Sequence, residues 1–113
     1  MDFTSSLNDK VLTLSLDGDL IGEEIGQSLM SEINDHIHKG IRHCVIDISK
    51  VRYVNSSGIG LLITVLTKFR NKGGDLILIQ PSSHVQKLLI ITKLNAIFTI
   101  CDTMDEALNK LKG

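Results

Sequence analysis

The central stretch of this 113-residue sequence is Val54-Asn55-Ser56-Ser57-Gly58-Ile59-Gly60-Leu61-Leu62-Ile63. The residues just before it, from Cys44 to Ile48, are apolar and mostly β-branched, which predicts a buried strand. After it, apolar residues recur at steps of three and four, which predicts a helix from Ser57 to about Arg70 with an inward face of Ile59, Leu62, Ile63, Leu66 and Phe69. The stretch therefore joins a strand to a helix, and the rest of the chain is placed around that unit.

Three polar residues, Asn55, Ser56 and Ser57, lie at the start of the predicted helix. Their oxygens suit the unpaired N–H groups of a first turn, so plain helix capping is the simplest explanation for them. A helix N-terminus also favours an anion, and a phosphate on Ser56 or Ser57 would change what docks there. Gly58 and Gly60 each cost about 1 kcal/mol relative to alanine in a helix. They indicate close approach, either by a partner or by the helix's own sheet.

The composition predicts one globular domain spanning residues 1–113, since 42% of the residues are hydrophobic. The net charge of −1 and the absence of tryptophan argue against nucleic-acid binding. No signal peptide and no apolar run long enough to span a membrane is visible, so we expect a cytoplasmic protein. Cys44 and Cys101 lie among apolar neighbours, and we expect them to be buried, unpaired thiols.

The remaining periodicities predict alternating strands and helices. A turn is expected at Asn8-Asp9, another at Asp17–Leu20, and capping boxes at Ser83 and Thr103. The predicted strands are Phe3–Leu7, Val11–Leu16, Cys44–Ile48, Leu76–Ile79 and Ile97–Ile100; the helices are Glu23–Lys39, Ser57–Arg70, Ser83–Lys93 and a C-terminal one carrying Ala107, Leu108 and Leu111 inward. This order predicts an α/β fold with a mixed, mainly parallel sheet of about five strands, about four helices and an antiparallel first strand.

Three loops, Asp17–Ile21, Tyr53–Gly60 and Gln80–His84, should meet at the carboxyl edge of that sheet. We find no catalytic, cofactor-binding or metal-binding pattern among them. The serines lack a G-x-S-x-G elbow, His84 is expected to be solvated, and no phosphate-cradling glycine motif is present. Elsewhere, His36 and His38 point to different helix faces and make a poor metal pair, and Asp47 lacks the acidic pair of a phospho-aspartate receiver.

Leu61 and Val65 lie off the inward face of the central helix. If they are exposed, they form an apolar docking patch beside the three loops. Burial under the neighbouring helix is the alternative, and the pattern leaves both open.

The segment Asn55–Gly60, N-S-S-G-I-G, resembles the D-S-S-G-[LI]-G signature of the anti-sigma-factor antagonist family, the bacterial members of the STAS domain. Gly18-Asp19-Leu20 resembles that family's G-E-L-D turn, and Lys72-Gly73-Gly74 and the Pro81-Ser82 turn fall where its members have comparable segments. The similarity extends over nearly the whole chain, so the resemblance implies the STAS fold for residues 1–113.

The resemblance implies a non-enzymatic switch. In that family the unphosphorylated domain binds an anti-sigma factor that is also a serine kinase, which frees the sigma factor; phosphorylation of the first serine releases the complex, and a phosphatase reverses it. By position the acceptor is Ser56, with Ser57 as second choice. The implied contact surface consists of Gly18, Asp19, Leu20, Asn55, Ser56, Ser57, Gly58, Ile59 and Gly60.

Two departures from the family pattern leave alternatives open. Asn55 replaces the usual aspartate, and Ile21-Gly22 replaces the residues after G-E-L, so the chain is either phosphorylated weakly or binds constitutively. A second hypothesis is a cytosolic STAS subunit of an ABC-type lipid transporter or of a stress-sensing complex. A third is a small hydrolase using Ser56 or Ser57. The sequence leaves the oligomeric state open.

Overall fold

The computed structural model describes residues 2–8 and 10–112. Five strands form one sheet in the order β1-β2-β3-β4-β5, in which β1 is antiparallel to β2 and the other neighbours are parallel. The predicted fold class is thereby confirmed. In chain order the elements are β1 (Asp2–Asn8), β2 (Val11–Leu20), α1 (Gly22–His38), β3 (His43–Val54), α2 (Ser56–Asn71), β4 (Asp75–Ile79), α3 (Ser83–Ile91), a short 3-10 helix (Leu94–Ala96), β5 (Thr99–Cys101) and α4 (Met104–Lys112).

The larger part of the core lies on the face of the sheet covered by α1, α2 and α3. The alternation predicted for β2 is confirmed, because Leu12, Leu14 and Leu16 are at most 1% exposed and point to this face. The helices contribute apolar stripes to the same cluster, among them Ile25, Leu29, Ile33, Leu62, Leu66, Phe69, Val85 and Leu89. This face fixes how the starts of α1 and α2 sit beside the ends of β2 and β3.

The opposite face of the sheet carries a smaller cluster under α4. Val45, Ile77 and Ile79 alternate with the residues of the larger core and pack with Cys101 and Ala107. Leu108 and Leu111 are partly buried against the same cluster, as the sequence predicted for the last helix. Strand β4 is therefore covered on both faces, in agreement with its uninterrupted apolar pattern.

The turn predicted at Asp17–Leu20 is wrong. Strand β2 continues to Leu20 and pairs in parallel with β3 as far as Val54, with irregularities between Ser15 and Asp17 and again between Gly18 and Asp19. The side chains of these residues are typical of a turn, but their backbone N–H and C=O groups form hydrogen bonds with β3. The two irregularities are bulges, which accommodate the change of register. For the same reason β3 extends well beyond the predicted Cys44–Ile48.

Two boundaries around α3 also differ from the prediction. The helix is capped by Ser82, not Ser83, because the Ser82 hydroxyl accepts a hydrogen bond from the Val85 N–H at 3.4 Å. The helix ends at Ile91, since Lys93 adopts a left-handed conformation (φ 62°) that leads into the 3-10 helix. Because of this extra turn, β5 begins at Thr99 and ends at Cys101, later than the predicted Ile97–Ile100.

Helix α2 buries a wider face than the sequence predicted. Leu61 and Val65 are 9% and 0% exposed, so of the two alternatives burial is correct and the docking patch is wrong. Ile63, expected to face inward, is 36% exposed. The physical reason is that α2 packs against α1 as well as against the sheet, which rotates the buried stripe away from Ile63.

Several smaller predictions can be compared with the described residues. Cys44 and Cys101 are buried free thiols, and burial raises the pKa of both. The capping role of Thr103 is confirmed by the bond that its hydroxyl accepts from the Glu106 N–H at 3.1 Å. The expected turn at Asn8-Asp9 includes Asp9, which lies outside the described residues. None of the described helices combines the length and the apolar character that a membrane span requires.

Candidate functional site at the first turn of helix α2

The three segments predicted as loops do meet at the carboxyl edge of the sheet, which we call the rim, although residues 17–20 and 53–54 belong to strands β2 and β3. Strands β2 and β3 end side by side, with Asp19 opposite Tyr53 and Leu20 opposite Val54. The Asn55 N–H donates to the Leu20 carbonyl at 3.2 Å, which extends this contact to the start of α2. The third loop joins through Ser82, whose hydroxyl donates to the Val51 carbonyl at 2.9 Å.

Asn55 is the N-cap of α2. Its backbone is extended (φ −90°, ψ 178°), and its side-chain Oδ1 accepts the Gly58 N–H at 2.8 Å. Its own carbonyl accepts the first helical bond, from the Ile59 N–H at 3.0 Å. Capping by Asn55 therefore satisfies one of the free amides and leaves others of the first turn pointing toward the rim.

The two serines at the rim differ sharply in environment. Ser56 is the first residue of α2, is exposed, and makes no side-chain hydrogen bond to the described part of the chain. The Ser57 hydroxyl is engaged three times: it accepts the Gly22 N–H at 3.0 Å, lies 2.9 Å from Asn55 Oδ1, and donates to Glu23 Oε2. The structure thus presents Ser56 to solvent and holds Ser57 inside a network with the start of α1.

The two glycines of the first turn serve different purposes. A Cβ on Gly58 would lie 2.3 Å from the Leu20 carbonyl oxygen, so this glycine allows α2 to touch β2 directly. A Cβ on Gly22 would similarly lie 2.3 Å from the Ser57 carbonyl oxygen, which brings the start of α1 into the same contact. Gly60 is exposed with open space around its Cβ position. Internal packing therefore explains Gly58, while Gly60 leaves the helix surface bare.

Of the three predicted contact residues on β2, Gly18 and Asp19 are accessible at the rim, and Leu20 is buried beneath it. Asp19 is at the surface and lies 3.5 Å from Arg52, whose side chain is 79% exposed. Gly18 lies beside it at φ 113°, a conformation that favours glycine. Leu20 is fully buried, so its side chain belongs to the core beneath the rim and only its backbone reaches the site. Exposed Tyr53 adds an aromatic surface that the sequence analysis did not single out.

Glu23 and Gly22 are site residues that sequence reasoning missed. In the sequence, Glu23 stands out only as the first residue of a predicted helix, where its charge suits the positive end of the helix dipole. Its Oε2 atom accepts from Ser57 and lies 3.5 Å from Asn55 Nδ2, although these residues are more than thirty positions away in sequence. No local pattern indicates such a contact, because it depends on how α1 packs beside α2.

The groups at the rim do not form a nucleophile–base pair among the described residues. The Ser57 network consists of a carboxylate, an amide and a backbone N–H, and no histidine hydrogen-bonds either serine. His84 lies exposed on α3, as predicted. In residues 2–8 and 10–112, no three side chains of the metal-ligating types converge. What the arrangement offers is an exposed hydroxyl on the first turn of a helix, at the carboxyl edge of the sheet.

Together the sheet order and the rim define a class: a mixed α/β domain whose distinctive surface is an exposed helix N-terminus at the carboxyl edge of the sheet. The comparison with protein families identifies that class, since the model of the STAS domain matches residues 4–107. This chain belongs to the STAS domain family. The resemblance inferred from residues 55–60 is confirmed.

Relatives and solved structures support the assignment. A protein of Thermotoga neapolitana, provisionally named an anti-sigma factor antagonist, is 30% identical over 80 residues, which cover 71% of each chain. The crystal structure of a Thermotoga maritima protein with the same provisional name matches with a TM-score of 0.87 and 26% identity, covering 98% of this chain and 95% of that one. The anti-sigma factor antagonist SpoIIAA in its unphosphorylated form shares the fold, with a TM-score of 0.75 and 21% identity over 99% of both chains.

Proposed function

We propose that this protein is an anti-sigma factor antagonist whose binding is switched by phosphorylation of Ser56. Its relatives in Thermotoga carry that functional name, and the fold is shared with SpoIIAA. Structures of SpoIIAA, from Bacillus, exist in unphosphorylated and phosphorylated forms, so for that protein both states are stable enough to be solved. The proposal assigns the same pair of states to this chain.

The observation that carries the proposal is the difference between the two serines. Ser56 is the hydroxyl that a kinase can reach, since it is exposed and free of internal hydrogen bonds within the described residues. A phosphate there would add a charge of about −1.5 to −2 at the positive end of the α2 dipole, where folding tolerates it well. The modification would therefore alter the surface without disturbing the fold.

The surface around Ser56 suits a protein partner. Gly60 leaves the first turn bare, Asp19 and Arg52 offer charges of both signs, and half-exposed Tyr53 offers an aromatic contact. Gly18, Asn55 and Ile59 complete the accessible rim, whereas Leu20, Ser57 and Gly58 shape it from beneath. In the unmodified state the rim binds an anti-sigma factor that is also a serine kinase, and the sigma factor is released.

Phosphorylation reverses this binding by charge and bulk. The bulk of a phosphate on Ser56 prevents the partner from approaching the first turn of α2 closely, although Gly60 leaves room for that approach in the unmodified protein. The negative charge of the phosphate also repels carboxylates of the partner. A phosphatase restores the free hydroxyl. In this role the domain is a binding protein of the cytoplasm and not an enzyme.

A pair of Ser56 variants tests the switch. Ser56→Ala should bind a candidate anti-sigma factor kinase within about threefold of wild type, and Ser56→Asp should bind at least about tenfold more weakly, since unfavourable charge at an interface typically costs more than about 1.4 kcal/mol. Titration calorimetry measures both. Thr67→Asp is the control for added charge, because Thr67 is also exposed on α2 but lies about three helical turns away from the rim. If the Ala and Asp variants of Ser56 bind equally well, the switch is wrong.

Intact mass spectrometry tests the modification directly. After incubation with ATP and the partner kinase, the chain should gain one phosphoryl group that peptide mapping places on Ser56. Ser56→Ala should gain none. A protein that binds the partner but never gains the group would be a constitutive antagonist, and the phosphorylation part of the proposal would fail.

A further inference from the structure

Ser56 and Ser57 are adjacent hydroxyls on one helix turn, yet a residue of another helix distinguishes them. We propose that Glu23 is the specificity-determining residue that restricts phosphorylation to Ser56. It does so by engaging the Ser57 hydroxyl and by placing a carboxylate where a phosphate on Ser57 would have to lie. This inference deepens the proposed function and rests on it, and it includes a test that needs no kinase.

The geometry gives Ser57 no free hydroxyl to offer. Its single proton faces two acceptors, Glu23 Oε2 and Asn55 Oδ1, and its oxygen accepts the Gly22 N–H at 3.0 Å. The Ile21 cap of α1 has no side-chain hydrogen bond, so the Ser57 hydroxyl satisfies the first N–H of that helix in its place. Ser57 is thus a structural link between the two helix starts.

Within this network Glu23 is the one charged side chain, and its negative charge opposes a phosphate. The Gly22 N–H donates to an oxygen and would donate equally well to a phosphoryl oxygen, and both helix starts favour negative charge. The carboxylate of Glu23 instead lies within hydrogen-bonding distance of the Ser57 oxygen, so a phosphate there would place like charges in contact. Removing the Glu23 charge should leave a site that accepts phosphate on Ser57.

Glu24 separates this specific role from a general effect of charge. It is also an exposed acidic residue in the first turn of α1, so it contributes similarly to the helix dipole. It lies instead beside Asp2, Phe3 and Ser28, and it makes no hydrogen bond to Ser57 within the described residues. Glu24→Gln is therefore the matched control for Glu23→Gln.

The first experiment maps phosphorylation in a background that lacks Ser56. Ser56→Ala, alone and combined with Glu23→Gln or Glu24→Gln, is incubated with ATP and the partner kinase and mapped by mass spectrometry. We expect no modification of Ser56→Ala or of its Glu24→Gln combination, and at least about tenfold more Ser57 phosphorylation in the Glu23→Gln combination. The inference is overturned if that combination stays unmodified while wild type is modified at Ser56, or if Ser56→Ala alone is modified at Ser57.

The second experiment measures the same coupling by urea unfolding, without a kinase. Ser57→Asp and the neutral Ser57→Asn are compared in wild type, Glu23→Gln and Glu24→Gln. In each background, the effect of the charge is the ratio of the folding equilibrium constants of the Ser57→Asn and Ser57→Asp proteins. We expect this ratio to be about fivefold larger in wild type than in Glu23→Gln, which corresponds to a coupling free energy of about 1 kcal/mol between adjacent exposed charges. Glu24→Gln should behave like wild type.

The outcomes of the two experiments are distinguishable. If wild type is never phosphorylated, the phosphorylation part of the proposed function fails, and the unfolding cycle alone still decides whether Glu23 opposes charge at position 57. Equal Asp effects in all three backgrounds overturn the inference even where Ser56 is phosphorylated. Should Ser57→Asp fail to fold in wild type, its recovery by Glu23→Gln supports the inference, and failure in both backgrounds overturns it.

Discussion

At the scale of single residues, Asn55 suits its position better than an aspartate would. Its Oδ1 caps α2 through the Gly58 N–H, and its Nδ2 faces the Glu23 carboxylate at 3.5 Å. An aspartate would cap the helix equally well but would face Glu23 with a second negative charge. Where the family pattern has an aspartate, this protein therefore has Asn55 together with a neighbouring carboxylate, that of Glu23 on α1.

We predict that Asn55→Asp destabilises the protein by about 0.5–1 kcal/mol at low salt, because repulsion from Glu23 outweighs the small gain at the helix dipole. Urea unfolding at low and high salt measures the effect, which should shrink as salt increases. Adding Glu23→Gln should restore the lost stability. An Asn55→Asp protein as stable as wild type at low salt would mean that the two side chains do not interact in solution.

The identity of the accessible serine could not be predicted from the residues alone. The helix start, the cap and both hydroxyls are visible in residues 55–60, because capping and dipole effects are local. What separates Ser56 from Ser57 is a contact with Gly22 and Glu23, which lie more than thirty residues earlier. Such contacts follow from helix packing and leave no local signature.

At the scale of elements, the first turn of α2 contains two glycines, Gly58 and Gly60, that are present for different structural reasons. Gly58 allows the helix backbone to approach the Leu20 carbonyl, whereas a Cβ on Gly60 would meet no described atom within 4 Å beyond its own helix backbone and chain neighbours. Sequence reasoning left both explanations open for both positions. The structure assigns one explanation to each position: Gly58 is required by close packing against β2, and Gly60 lies at an open surface.

Alanine at these two positions should have opposite effects. We predict that Gly58→Ala destabilises the protein by roughly 2–4 kcal/mol, because its Cβ would clash with the Leu20 carbonyl oxygen. Gly60→Ala should stabilise the protein by about 0.5–1 kcal/mol, since alanine is the better helix former and has room. Urea unfolding of both variants checks this. Equal and small effects would show that the close contact is absent.

The element boundaries show where local pattern fails. The predicted bounds of α2, 57–70, differ by one residue at each end from Ser56–Asn71, because helical periodicity and caps are local signals. The sequence pattern does not predict the ends of β2 and β3, since Asp17 and Asp19 look like turn residues. The backbones of Asp17 and Asp19 pair with Lys50 and Tyr53 of β3, and that pairing is set by the neighbouring strand and not by the side chains.

At the scale of the whole molecule, the sheet separates two cores of unequal thickness. Cys44 lies in the larger core under three helices, and Cys101 lies in the smaller core under α4. Helix α4 has nine residues and only Ala107 fully buried, so it has much less buried apolar surface than the opposite layer. The α4 side should therefore open first.

The two thiols provide a measurement of this difference. Burial raises the pKa of both, and the Glu106 carboxylate adds to the effect at Cys101, so each is a protonated, unreactive thiol near pH 8. We predict that an alkylating reagent labels Cys101 at least about tenfold faster than Cys44 in the native protein, because local opening of α4 suffices. Cys44→Ser and Cys101→Ser variants assign the rates.

Denaturant provides the control for the thiol experiment. In fully unfolded protein both thiols should react at similar rates, which shows that the native difference comes from structure. Labelling of Cys101 should depend weakly on urea, as expected for local opening, and labelling of Cys44 should depend strongly on it. Identical rates and identical urea dependence in the native protein would mean that the two layers open together.

The direction of α2 has a practical consequence for observing this protein at work. The helix starts at the rim and its 16 residues carry the chain about 24 Å away, to exposed Lys72 at its end. A fluorophore or a surface tether attached through Lys72 would therefore stand well clear of anything that docks at Ser56. Encounters at one end of the helix could be recorded from the other without the reporter standing in the way.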